Sequence, residues 1–251
     1  MAEHRFHTPE PVELHISVPT GRIEVETVDG DESVVTLDGS DRFLEQTTVE
    51  LQGRRLVVDF RGRKHGIMVA IGDLSFGGGK LRIRATVPHG SEANIATAAG
   101  DMELRGRFAT LDTKSASGDL VVNGEVERDA DLKTVSGDVR VQRVGGDLDV
   151  KSVSGDVTAA SVGGSVNVKS VSGDVRVESV QAGKVTVQSV SGDLEIGVAP
   201  GSNLDVDAGS VSGDLASEVP LGSEPATGGD GPTVVVRGRT VSGDFKVFRA
   251  A

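Results

Sequence analysis

The tripeptide Ser-Gly-Asp occurs seven times in this 251-residue chain, with its aspartate at positions 119, 138, 156, 174, 193, 214 and 244. The intervals are 19, 18, 18, 19, 21 and 30 residues, and a degenerate copy, Ala99-Gly100-Asp101, carries the register 18 residues further upstream. Gly146 and Gly164 each stand nine residues from the glycines that flank them, so the unit is nine residues used in pairs. A unit this short cannot bury an apolar face alone and must stack on its neighbours.

After each glycine the apolar residues alternate: Val139 and Val141, Leu148 and Val150, Val166 and Val168, Val175 and Val177. The residues between them, Arg140, Asp149, Asn167 and Arg176, are polar. Period two means strands with one buried and one wet face, and a glycine every nine residues excludes a helix. Near-identity of the units then separates a parallel coil from a meander of hairpins. In a coil, equivalent residues stack about 4.8 Å apart and form columns, so the pattern has to repeat. The expected fold is all-β: a single-stranded parallel β-solenoid with about 18 residues per coil.

Composition agrees with a core of small β-branched side chains. Glycine numbers 34, the aromatics are seven Phe, and there is no Trp, Tyr or Cys. Without cysteine there is no disulfide framework and no thiolate metal site. The first ten residues lack the apolar stretch of a signal peptide, and no sequon of the Asn-x-Ser/Thr type occurs. The expected compartment is the cytoplasm. The net charge of -12 argues against nucleic acid as a partner, yet residues 51–107 hold ten Lys and Arg against five Asp and Glu.

The organisation expected is one continuous domain. Residues 1–95 form irregular coils that begin near residue 12 and carry an inserted basic, glycine-rich loop at 61–80; 96–251 form the regular solenoid. Within the latter, 217–232 is rich in Gly, Pro and Ser and reads as a surface loop. The last coil, with Phe245 and Phe248 in place of valines, reads as a cap that blunts the end.

Taken together, the opening strand and Pro-x-Gly turn (residues 18–25), the glycine-rich stretch before LRIRATVPHGS and the SGD(V/L) array resemble a bacterial family that carries the name "putative adhesin". It is also called the toast-rack domain and is of unknown function in envelope-stress systems. The resemblance covers nearly the whole chain. It implies a right-handed β-helix and a non-catalytic role, often near the envelope, and it brings no catalytic residues.

Two features are candidate sites. The aspartate column, Asp119, Asp138, Asp156, Asp174 and Asp193, invites a calcium reading, because carboxylates stacked at strand spacing repel by roughly 1 kcal/mol per pair in water. The calcium-binding nonapeptides of repeat toxins have Gly-Gly-x-Gly-x-Asp, whereas here Asp directly follows a single glycine. The alternative is that Ser-Gly-Asp makes a corner, glycine taking positive φ and Ser or Asp bonding nearby backbone. A column of Lys114, Lys133, Lys151 and Lys169, five residues before each aspartate, offers charge compensation.

The second candidate is the basic region around the apolar stretch 67–76, with Arg61, Arg63, Lys64, Ile67, Met68, Phe76 and Lys80 as contact residues for a partner. The loop would insert into a protein or an anionic membrane surface while the cations hold it there. Its alternative is an ordinary buried strand at 67–71 with solvated charges around it. No spacing of the five histidines suggests a ligand set or triad, and no Trp or Tyr offers a platform for sugar. The function expected is a non-enzymatic scaffold or interaction module with a protein partner, no cofactor, and solenoid ends open to self-association. A calcium-stabilised surface adhesin is the first alternative and a polysaccharide-active β-helix enzyme the second.

Overall fold

The computed structural model describes residues 1–60, 81–217 and 231–250. The chain begins with strands β1 (Ala2–His7), β2 (Glu13–Thr20), β3 (Arg22–Val28) and β4 (Glu32–Asp38), followed by a short helix α1 (Asp41–Gln46). Then come β5 (Thr47–Gln52), β6 (Arg55–Phe60), β7 (Arg82–Pro88), β8 (Ser91–Ala99) and the long β9 (Met102–Ser117). The regular array runs through β10 (Leu120–Val126), β11 (Ala130–Thr134), β12 (Val139–Val144), β13 (Leu148–Lys151), β14 (Val157–Val162), β15 (Val166–Lys169) and β16 (Val175–Val180). The last coils hold β17 (Gly183–Gln188), β18 (Leu194–Val198), β19 (Asn203–Ser212), β20 (Leu215–Ser217), β21 (Thr233–Ser242) and β22 (Phe245–Arg249).

These strands form the all-β parallel solenoid that the spacing predicts. Each coil contributes two strands, one to each side. The even-numbered stack β10, β12, β14, β16, β18 pairs in parallel, and so does the odd-numbered stack β11, β13, β15, β17, with β9 bent so that it starts both. The period of 18 is conserved rung by rung: Val139 lies beside Val157 and Val157 beside Val175, while Leu148 lies beside Val166. Alternate side chains point between the two sides, where Val150, Val162, Val168, Val177 and Val187 are fully buried. A fully buried valine contributes roughly 1.5 kcal/mol or more, so this core is made of many modest and equal increments.

The corner between coils obeys a close-approach rule. Gly155 has φ 116°, and a Cβ there would collide with the carbonyl oxygen of Gly137 one coil away. Glycine is thus required twice over, by its left-handed backbone and by the stacking distance.

Within the early coils β5 and β6 pair as an antiparallel hairpin around Gly53. Two further antiparallel pairings, β1 with β4 and β4 with β7, and the helix α1 lie beyond what the sequence pattern disclosed. Segment 61–80, and with it every proposed contact residue of the basic loop, lies outside the described residues. So does most of 217–232.

The C-terminal coil is not a cap, which corrects the sequence reading. Strands β21 and β22 lie inside the stack: β21 pairs with β17 on one edge and β19 on the other, and β22 pairs with β18 and β20. The chain therefore leaves β18, skips one coil to lay down β19 and β20, and returns to fill the gap. Phe245 sits buried at 2% exposure between Leu194 and Leu215, its ring in the space that Gly238 vacates in the neighbouring row. Phe248 is half-buried, with the Arg176 guanidinium 5.7 Å from its ring centroid. Repeat identity fixes which residues stack but not the order in which coils are stacked, and that is why the cap was misplaced.

Candidate functional site

The Ser-Gly-Asp corner is built from three hydrogen-bonded columns. In the first, a carboxylate replaces a missing rung of the backbone ladder. Asp119 Oδ1 accepts the N–H of Asp138 at 2.9 Å, Asp138 that of Asp156 at 3.0 Å, and Asp156 that of Asp174 at 2.9 Å. The same bond runs from Asp193 to Asp174, from Asp244 to Asp193 and from Asp214 to Asp244, each at 2.8 Å. The corner reading of the aspartates is thus supported, with one refinement: the carboxylate bonds the backbone of the next coil and not its own. Among the described residues no group of three or more His, Asp or Glu is arranged to hold a metal ion.

The second column is Ser115, Thr134, Ser152, Ser170, Ser189 and Thr240, all buried, whose hydroxyls donate to the carbonyl two residues on. Each ties the end of one strand to its own turn. In the third, Ser136, Ser154, Ser172, Ser191 and Ser242 form parallel bridges from coil to coil.

Between the last two columns a row of valines faces solvent. Val135, Val153, Val171, Val190 and Val241 are 50%, 47%, 48%, 51% and 51% exposed, and Val211 ends the row at 82%. At strand spacing, the ridge from Val135 to Val211 is about 24 Å long. Scattered apolar residues on a surface need no explanation, but a contiguous row does. Sequence reading missed it because both half-repeats begin with valine, yet Val144 and Val162 of the Val-Gly-Gly half are buried. The signal was there: Val150 and Ser152 both point inward, so period two turns Val153 outward.

Beside the ridge runs the lysine column, and it answers a different set of acids from the one expected. Lys114, Lys133 and Lys151 pair with Asp112, Asp131 and Asp149 at 3.4, 2.8 and 3.2 Å, on their own strands. The hydrogen bond to Asp131 raises the pKa of Lys133 above its ordinary value. These aspartates line a groove of about 650 Å³ that crosses the odd-numbered stack from His15 and Arg55 to Asn167. At its upstream end, burial and then the nearby Arg55 hold the His15 pKa below the usual value. The outer surface is accordingly striped along the solenoid axis: acid, base, apolar, hydroxyl, acid.

A family model for Toastrack DUF4097 matches residues 12–248. Two solved structures from Parabacteroides distasonis are similar over almost their whole length. One bears the name "putative adhesin", with 15% identity, a TM-score of 0.55, and 98% of this chain and 96% of that chain covered. The other bears the name "Putative lipid binding protein", with 13% identity, a TM-score of 0.57, and 100% of this chain and 96% of that chain covered. No curated protein is significantly similar to the sequence.

Proposed function

The chain belongs to the Toastrack DUF4097 family, and from that premise we propose that it is a non-enzymatic interaction module, kept in the cytoplasm, that docks a protein partner along the valine ridge. The observation that carries this reading is the exposed row itself. Five valines about half exposed in register present an apolar area on the order of a few hundred Å², with the lysine column on one side and, beyond the bridging serines, the aspartate column on the other. A rigid, parallel-sided stripe of this kind suits an extended or helical segment that lays its apolar face along the axis and its charges to either side. An envelope-stress complex is the setting that the family resemblance favours.

The test places a photo-crosslinking amino acid at Val153 and Val171, and as controls at Thr158 and Thr186, in the native host. A discrete partner band at the ridge positions and none at the controls supports the proposal. Equal labelling at all four, or labelling restored only by the 61–80 segment when residues 67–76 are deleted and added back, overturns the ridge as the contact. Fractionation of the same cells tests the compartment. The surface-adhesin reading rests on the name of one of the two structural neighbours. Calcium has less to offer it, because one oxygen of each corner aspartate from Asp119 to Asp193 is already committed to a backbone N–H.

A further inference from the structure

The 19-residue interval between Asp119 and Asp138 has a structural origin that points to a second site. Strands β9 and β10 pair residue for residue from Met102/Leu120 to Phe108/Val126, but β12 is one residue shorter. The pairing of β10 with β12 therefore slips between Val122 and Glu125, with Asn123 and Gly124 both facing the single residue Gln142. A groove of about 540 Å³ opens over this bulge, and the lining positions Gly106, Gly124 and Ala160 carry little or no side chain. Bulges of this kind re-aim side chains and recur beside binding sites.

The groove is rimmed by groups with unspent hydrogen-bonding capacity. In register down one column stand Arg107, Glu125, Arg143 and Ser161, with Asn123 and Gln142 alongside. The surrounding arginines are engaged: Arg22 and Arg105 with Glu103, Arg84 with Glu24, Arg140 with Asp138. Among the described residues, the Arg107 and Arg143 guanidinium groups hold no ion pair or hydrogen bond, although Glu125 lies between them. In a chain of net charge -12, two unpaired guanidinium groups with free amides beside them are an anion-recognition arrangement and not general basicity.

We infer that this groove binds an acidic oligosaccharide in which carboxylated and neutral sugars alternate. The order cation, carboxylate, cation selects it. A continuous polyanion would set a negative group against Glu125, whereas an alternating chain sets a neutral sugar's hydroxyl there as donor, with a carboxylate on each arginine. A pyranose ring and a strand spacing are both about 5 Å, so a sugar chain along the axis advances about one residue per coil. Asn123, Gln142 and Ser161 complete the hydroxyl contacts, so binding rests on polar groups without an aromatic platform. The site lies at the opposite corner from the valine ridge, and the two stand or fall separately.

The test titrates the full chain calorimetrically with a hyaluronan hexasaccharide, with cello-hexaose as the neutral control, oligogalacturonate as the continuously charged control and a poly-glutamate peptide as the non-sugar anion. Saturable binding of hyaluronan, at least about tenfold tighter than any control, is the expected result, with Arg107→Ala/Arg143→Ala weakening it tenfold or more. Both side chains are exposed, so the melting temperature of the double variant should stay unchanged. If that variant is destabilised, Arg107→Lys/Arg143→Lys, which keeps charge but loses the bidentate fork, should weaken binding while folding normally. Absence of hyaluronan binding at millimolar concentration, equal binding of poly-glutamate or oligogalacturonate, or indifference to both double variants overturns the inference.

Discussion

The two ends of the solenoid are finished differently. At the N-terminal end the chain reverses direction: β1 and β4 on one side and β5 on the other run antiparallel to their neighbours, and α1 sets Phe43 into the core at 4% exposure with the Phe60 ring 5.8 Å away. At the other end the last coil, β19 and β20, keeps the parallel direction and leaves Leu215 56% exposed. Its defence against further stacking is a pair of exposed aspartates, Asp205 and Asp207, and a glycine at 209. Among the described residues, one end is closed by topology and large side chains, the other by two charges and a glycine. A parallel repeat, then, does not close itself: closure has to be written into residues that break the repeat.

That contrast can be broken by truncating a large side chain toward each end of the solenoid. Phe108→Ala, at 0% exposure beneath the sealed coils, should cost about 3–5 kcal/mol. Phe245→Ala should fall toward the lower limit of that range, because the final coil is free to collapse into the cavity. Chemical denaturation with an unchanged m-value would measure both, and equal costs would remove the distinction between the ends.

A smaller difference separates two glycines of positive φ. Gly155→Ala must enter the stack against Gly137 and should destabilise by about 2–3 kcal/mol. Gly53, in the β5–β6 turn with φ 62°, has nothing within 4 Å of an added Cβ, so Gly53→Ala should cost about 1 kcal/mol. Thermal melts that rank these two the other way would contradict the close-approach account of the corner.

Smaller again is the effect at the aspartate column. Asp156→Ala strands the Asp174 N–H and should cost about 1 kcal/mol, whereas Asp156→Asn keeps the accepting oxygen and should be nearly neutral. A calcium site would respond to both, so a large loss in the Asn variant that appears only with calcium present would restore the metal reading. The smallest effect concerns pH at the upstream groove. His15 resists protonation when folded, so below its ordinary value near 6.5 the unfolded chain binds the extra proton and stability falls as pH falls. His15→Gln should remove that part of the slope, read from urea midpoints between pH 7.5 and 5.

Much of this molecule can be read from spacing. The glycine and aspartate intervals specify coils of 18 residues, and valine alternation specifies which side chains fill them. What spacing leaves open is instructive. Local pattern tells Val153 from Val144 only once the inward Ser152 is recognised, because both valines precede the same glycine turn. The lysine column was legible as a column but not in its partners, since Asp131 lies closer along the strand to Lys133 than Asp138 does. The bulge at Asn123 and Gly124 shows in sequence only as one residue too many between two aspartates. The skipped coil has no local signature, because β19 and β21 would each fit beside β17; sequence distance carries no information on which of two like strands arrives there.

That skipped coil is the claim on which the open end and the extent of the valine ridge both depend, and a chain with no cysteine makes it directly testable. Ser191 is paired with Ser242, and Ser242 with Ser212, so Ser191 and Ser212 are two coils apart, about 9.6 Å. Cysteine pairs at 191/242, 212/242 and 191/212 should be oxidised under mild conditions and the disulfides mapped by mass spectrometry. Bridges are expected in the first two variants, whose backbones lie within disulfide range, and none in the third. A bridge between 191 and 212 with none between 191 and 242 would mean that the coils stack in sequence order, with the C-terminal coil at the end after all.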